Sequence, residues 1–122
     1  MEQSEIGQHY REGSMRTYQM ADVEVIELIG NIQQEDTDAL EHRLYELFED
    51  GILRVVVDMS KVSNVCSSAL GILVSYKRSF SEVNGDIKVV IVTPQMKELF
   101  KVTMLNKVFD TSELLNEAVE LF

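Results

Sequence analysis

The stretch Asp58-Met59-Ser60-Lys61-Val62-Ser63-Asn64-Val65-Cys66-Ser67-Ser68-Ala69-Leu70-Gly71-Ile72-Leu73 joins a buried strand to a helix. Before it, Ile52-Leu53-Arg54-Val55-Val56-Val57 is nearly continuous apolar and β-branched, the pattern of a strand covered on both faces in a parallel sheet. Residues 58–61 read as the loop that leaves this strand. A helix is predicted from 67 to about 83: Leu70, Leu73 and Val74 form one stripe, and Ile72, Tyr76, Phe80 and Val83 a neighbouring one. Its first turns are apolar nearly all round, so its start is expected to be deeply placed. Asn84-Gly85 breaks it.

Towards the N-terminus, residues 1–13 are polar apart from Met1, Ile6 and Tyr10 and read as an extension preceding a single domain over 14–122. Residues 15–20 form a short strand and Ala21-Asp22 a turn. In the next strand Val23, Val25 and Ile29 share one parity and Glu24 and Leu28 the other, a half-buried pattern that Gly30 ends. A helix follows, with Leu40, Leu44, Leu47 and Phe48 on one face. Asp38 and Glu41 have the spacing of a capping box, and Asp50-Gly51 supplies the stop.

Towards the C-terminus, residues 87–92 read as a further buried strand. Thr93-Pro94 is a helix-start signal, threonine as N-cap and proline at the first helical position. Met96, Leu99, Phe100 and Thr103 share a face of that helix. A last helix starts near Ser112 and buries some combination of Leu115, Ala118, Val119 and Phe122. The order β-β-α-β-α-β-α-α predicts an α/β fold with right-handed crossovers between parallel neighbours.

Composition narrows the functional classes. The 122 residues hold 11 Lys and Arg against 21 Asp and Glu, a formal net charge of −10. Phosphate neutralisation needs clustered cations, so nucleic acid is excluded as a partner, and anionic lipid on the same ground. No apolar run approaches the ~20 residues that span a bilayer, so no membrane insertion is expected. Cys66 is the only cysteine and the histidines are His9 and His42, which leaves no internal disulfide, no thiolate-rich zinc site and no cofactor expected. The redox context reads as cytoplasmic.

The quoted stretch resembles the signature of the STAS family, whose best-known members are bacterial anti-sigma factor antagonists. In that family a buried strand ends in Asp-Leu-Ser, a hydrophobic pair follows, and Asp-Ser-Ser-Gly-Leu-Gly opens a helix. Here Val57-Asp58-Met59-Ser60, Ser67-Ser68 and Leu70-Gly71 match in order and spacing. Thr93-Pro94, Leu99-Phe100-Lys101-Val102-Thr103 and Leu105-Asn106-Lys107-Val108-Phe109 look like the family's third helix and its exit. Cys66 stands where the family usually has aspartate, Ala69 where it has glycine, and Met104 where glycine is common.

The resemblance implies a small, mainly parallel mixed sheet with helices packed largely on one side. It implies a regulatory module, not an enzyme, that binds a serine kinase acting as an anti-sigma factor. Phosphorylation of Ser67 switches it off, with Ser68 the runner-up acceptor, and a serine phosphatase resets it. The partner-binding positions are then Asp58, Ser60, Asn64, Cys66, Ser67, Ser68 and Ala69. From the residues alone, Ser67 and Ser68 also read as helix caps, Asp58 as a cap at a strand end, and Cys66 as a small apolar residue or a reactive thiol. His42 reads as solvated, and Glu35, Asp36, Asp38 and Glu41 as complements to a helix dipole. Two other functions compete: an unphosphorylated scaffold or accessory subunit of a signalling or transport complex, and a small serine or cysteine hydrolase. The hydrolase lacks Gly-x-Ser-x-Gly.

Overall fold

A computed structural model describes residues 13–122. The expected extension therefore lies almost wholly outside the described residues. Five strands form one sheet: β1 (Ser14–Met20), β2 (Val23–Ile32), β3 (Arg54–Val65), β4 (Asp86–Val90) and β5 (Thr111–Ser112). Their spatial order is β1-β2-β3-β4-β5. β1 and β2 are antiparallel, and the other three pairings are parallel. The helices are α1 (Thr37–Glu49), α2 (Ser67–Glu82), α3 (Pro94–Val102) and α4 (Leu115–Glu120), with 3₁₀ turns at Gln34–Asp36 and Leu105–Lys107.

The β1–β2 hairpin closes through Ala21-Asp22, as expected, with Ala21 at φ 56° and Met20 opposite Val23. Two-residue hairpin loops favour positive φ because their twist then matches that of the strands. β2 is covered on both sides rather than half-buried. Ile26 and Leu28 face the main core, and Val23 and Val25 join a smaller cluster on the other face. Gly30 does not end the strand: at φ 87° it sits where the β2–β3 register shifts, and pairing continues to Ile32.

The strand over 52–57 is the start of a longer one, and residues 58–61 are not a loop. Glu27 lies opposite Asp58 and Ile29 opposite Lys61; Gly30 lies opposite Val62 and Asn31 opposite Asn64. Each step gives β3 one residue more than β2, the mark of a bulge. The bulges erase the period-two signature that identifies a strand in sequence: Met59, Val62 and Val65 are buried three residues apart.

Three helices cover one face of the sheet. Leu40, Leu44 and Leu47 of α1, Ala69, Leu73 and Phe80 of α2, and Met96 and Phe100 of α3 pack with Ile26, Val57, Ile87 and Val89. Phe48 meets Phe80 edge-on at 5.5 Å between ring centroids. α4 lies on the other face, where Ala118 packs with Val23, Val25, Val56 and Val90, and Leu115, Val119 and Phe122 adjoin them.

Several boundaries differ from expectation. α1 begins at Thr37, so Asp38 is inside the helix and is not its cap. The capping box belongs to the preceding 3₁₀ turn, where Gln33 N–H donates to Asp36 Oδ2 at 2.7 Å. The stop at Gly51 is as expected, with φ 75°. β4 ends at Val90, two residues early, and Ser112 belongs to β5 rather than to the last helix. Thr93 caps α3 as the sequence predicts, its Oγ1 accepting from Met96 N–H at 3.2 Å.

Candidate functional site

The junction between β3 and α2 is built on the β2–β3 ladder. Ile32 pairs with Val65, and Cys66 N–H then donates to Ile32 C=O at 2.9 Å. Cys66 is the N-cap of α2, with φ −76° and ψ 158°, and its side chain makes no capping hydrogen bond. Neither serine is the cap. Ser67 is the first helical residue and is exposed. Among the described residues its hydroxyl has no hydrogen-bond partner.

Ser68, one position on, is held. Its hydroxyl donates to Gln34 Oε1 at 2.7 Å and lies 3.3 Å from Cys66 Sγ. A hydroxyl has one proton, so with Gln34 taking it the thiol is the donor in the second contact. The three side chains thus form a chain, Cys66 to Ser68 to Gln34, that ties the start of α2 to the 3₁₀ turn before α1. Nothing in the sequence marks Gln34, because its partner lies 34 residues away.

The remaining predicted positions divide by burial. Asn64 is exposed and Ser60 and Cys66 are half-buried, so these can meet a partner. Asp58 and Ala69 cannot do so directly: they are 4% and 0% exposed. Asp58 Oδ1 accepts from Ser60 N–H at 3.0 Å, but within β3, so this local bond is not the cap at a strand end that the sequence suggests. Ala69 packs into the main core and sets the depth of α2. The start of α2 is therefore not deeply placed all round: Ala69 faces in, and Ser67 and Gly71 face out.

Strands β2 and β3 carry, nearer their middle, a charged cluster that the sequence reading missed. Glu27, 3% exposed, is opposite Asp58 in register. Arg16 Nε donates to Glu27 Oε1 at 2.8 Å and Lys61 Nζ lies 3.2 Å from Oε2. Burial pushes the Glu27 carboxyl up, but the hydrogen bonds from Arg16 and Lys61 outweigh it and hold the group below its ordinary value. Burial first, then the Glu27 and Asp58 charges, raise the neighbouring Tyr18 phenol. Arg16 also stacks over the Tyr18 ring at 5.0 Å. A carboxylate inside the apolar run Val23–Ile29 is the signal that could have flagged Glu27.

His42 is 72% exposed at its side chain and lies 3.3 Å from Glu46, one turn along α1. It lines a groove of about 450 Å³ with Asp38, Glu41, Tyr45 and Tyr76, and is not gathered with Ser67. Among the described residues no group of three or more His, Cys, Asp or Glu side chains could hold a metal ion. No helix among them is long and apolar enough to cross a membrane.

A five-stranded mixed sheet with three helices on one face, a fourth on the other and an exposed serine at the start of α2 define a small α/β domain. Residues 14–118 match the STAS domain family, and the chain belongs to it. Its fold is similar to that of an anti-sigma factor antagonist from Mycobacterium paratuberculosis (23% identity, TM-score 0.82, covering 90% of this chain and 93% of the other). It is also similar to the Bacillus cell fate determinant SpoIIAA in its phosphorylated form (16% identity, TM-score 0.71, 88% and 97%). The anti-sigma factor antagonist SpoIIAA in its unphosphorylated form gives 15% identity, a TM-score of 0.77 and coverage of 88% and 94%.

Proposed function

We propose that this chain is an anti-sigma factor antagonist-like module of the cytoplasm. It binds a partner serine kinase through the β3–α2 junction and is switched off by phosphorylation of Ser67. The observation that carries the reading is the exposed Ser67 hydroxyl, without a hydrogen-bond partner among the described residues, at the first position of α2 in a chain of the STAS family. The kinase transfers the γ-phosphoryl group of ATP to Ser67 Oγ. The bond between the γ-phosphorus and the β,γ-bridging oxygen breaks, the Oγ–P bond forms, ADP leaves, and the hydroxyl proton passes to a base of the kinase. A serine phosphatase returns the hydroxyl by hydrolysis. No residue of this chain acts as a catalyst in either step.

Two features support the position of the phosphate. A helix N-terminus presents free N–H groups and a favourable dipole to an anion. The Cys66 side chain does not occupy them. A phosphoserine brings a charge of about −1.5 to −2 and three acceptor oxygens to the docking surface, which acts by repulsion and desolvation.

The experiment is affinity capture from extracts of the source cells by unmodified protein and by Ser67→Asp. Recovery of an ATP-binding serine kinase by the unmodified form alone is expected. Equal recovery of a non-kinase partner by both forms would favour the second reading, an unphosphorylated scaffold that docks through the same junction. The observation on that side is Cys66 at the N-cap, where the family usually has aspartate.

A further inference from the structure

Two serines stand side by side at the start of α2, and they are not equivalent. The Ser67 hydroxyl is exposed and unpartnered among the described residues. Ser68 is half-buried as a residue, and its hydroxyl is engaged on both sides, by Gln34 Oε1 at 2.7 Å and Cys66 Sγ at 3.3 Å. For a kinase to use Ser68, this hydroxyl must leave Gln34, rotate outward and present its oxygen to the γ-phosphorus of ATP. For Ser67 no bond is broken beforehand. We infer that Gln34 is a positioning residue that selects the phosphoacceptor: by holding the Ser68 hydroxyl it confines phosphorylation to Ser67. The inference rests on the reading of this junction as a phosphorylation switch.

Gln34 is suited to that role and to little else in the fold. It is exposed on the 3₁₀ turn Gln34–Asp36, so its side chain adds nothing to the core. Its backbone C=O accepts from Thr37 Oγ1 at 2.7 Å, and that bond survives any side-chain substitution. The turn itself is held by Gln33 and Asp36. Removing the Gln34 amide therefore frees Ser68 and leaves the turn in place. Consecutive α-helical residues do not share a face, so a phosphate at 68 would point away from the direction of one at 67.

The test compares unmodified chain, Gln34→Ala and Gln34→Glu, each incubated with ATP and an extract of the source cells. Phosphate is located by mass spectrometry of the peptide spanning 67 and 68. The ratio of phosphate at Ser68 to that at Ser67 is an internal measure, independent of the total kinase activity. It is expected to rise about fivefold in Gln34→Ala, the factor that one neutral hydrogen bond is typically worth. Gln34→Glu keeps an acceptor for the Ser68 hydroxyl and is expected to keep the original ratio. Phosphate at Ser67 with the same ratio in all three proteins overturns the selection by Gln34 and leaves the switch standing. Phosphate on neither serine of the unmodified chain overturns both.

Discussion

The backbone N–H of Cys66 donates to the C=O of Ile32 at 2.9 Å, so the β2–β3 ladder runs without a gap into the N-cap of α2. The residue after that cap is the proposed acceptor, and it follows directly on the hydrogen-bond ladder of the sheet. A charge added at Ser67 meets a helix start already fixed by the sheet.

Ser67→Asp is accordingly expected to leave the fold intact. An acidic residue in the first helical turn is worth about 0.3–1 kcal/mol in the stabilising direction at an exposed site. Urea denaturation should give a midpoint equal to or slightly above that of the unsubstituted chain. A loss above about 2 kcal/mol, well beyond ordinary surface substitutions, would mean that the junction rearranges when charged.

Glu27 predicts the acid limb of the stability profile. Its folded pKa is lowered, so folding favours the ionised form. That contribution is complete above the ordinary value of 4.5 and is lost as pH falls through the depressed one. Asp86 has the same sign: burial raises its pKa, and the hydrogen bonds from Lys77 and Lys88 more than reverse this. Lys88 has the opposite sign. Burial lowers it, the bonds to Asp110 and Asp86 more than reverse this, and its contribution is lost only as pH rises above the ordinary 10.5. Glu27→Gln is expected to cost about 1.5–3 kcal/mol at pH 7. It should also flatten the fall in stability as pH drops below 4.5, and an unchanged fall would remove Glu27 as its source.

Met104 predicts a gain. It is 55% exposed and sits at φ 63°, a left-handed conformation that disfavours side chains with a Cβ. Relieving that conformation with glycine is worth about 1–2 kcal/mol, offset by the greater freedom of glycine in the unfolded chain, about 0.5–1 kcal/mol. Met104→Gly should therefore stabilise by up to about 1.5 kcal/mol, and Met104→Val, β-branched at the same φ, should destabilise. Thermal melts of the two variants check both signs.

Thr93 predicts a loss confined to one helix. Its hydroxyl is the side-chain cap of α3. Thr93→Ala should cost about 1 kcal/mol and Thr93→Ser much less. Amide exchange should speed up first at Met96, whose N–H the hydroxyl accepts.

Those elements that bury one continuous stripe were legible in the sequence. Leu40, Leu44 and Leu47 announced α1, and Thr93-Pro94 announced α3 to the residue. What was not legible depends on partners distant in the chain. The bulged half of β3 is a strand only because Gly30, Asn31 and Ile32 pair with it. β5 has two residues, too few for any periodicity, and exists because Val89 and Val90 offer an edge. At the site, the family pattern located Ser67 and Ser68 but not their inequality. That inequality is set by Gln34, whose contact with Ser68 no local spacing encodes.

The strands are ordered in space as they are in sequence, and this bears on how the protein is made. Each strand leaving the ribosome finds its neighbour already synthesised, so the sheet can be extended from one edge without reserving a gap for a later segment. Short separations between pairing segments lower the entropic barrier to that assembly. α4 follows β5 in the chain and closes over Val23, Val25, Val56 and Val90, so the second face of the sheet is sealed only after all five strands have been made.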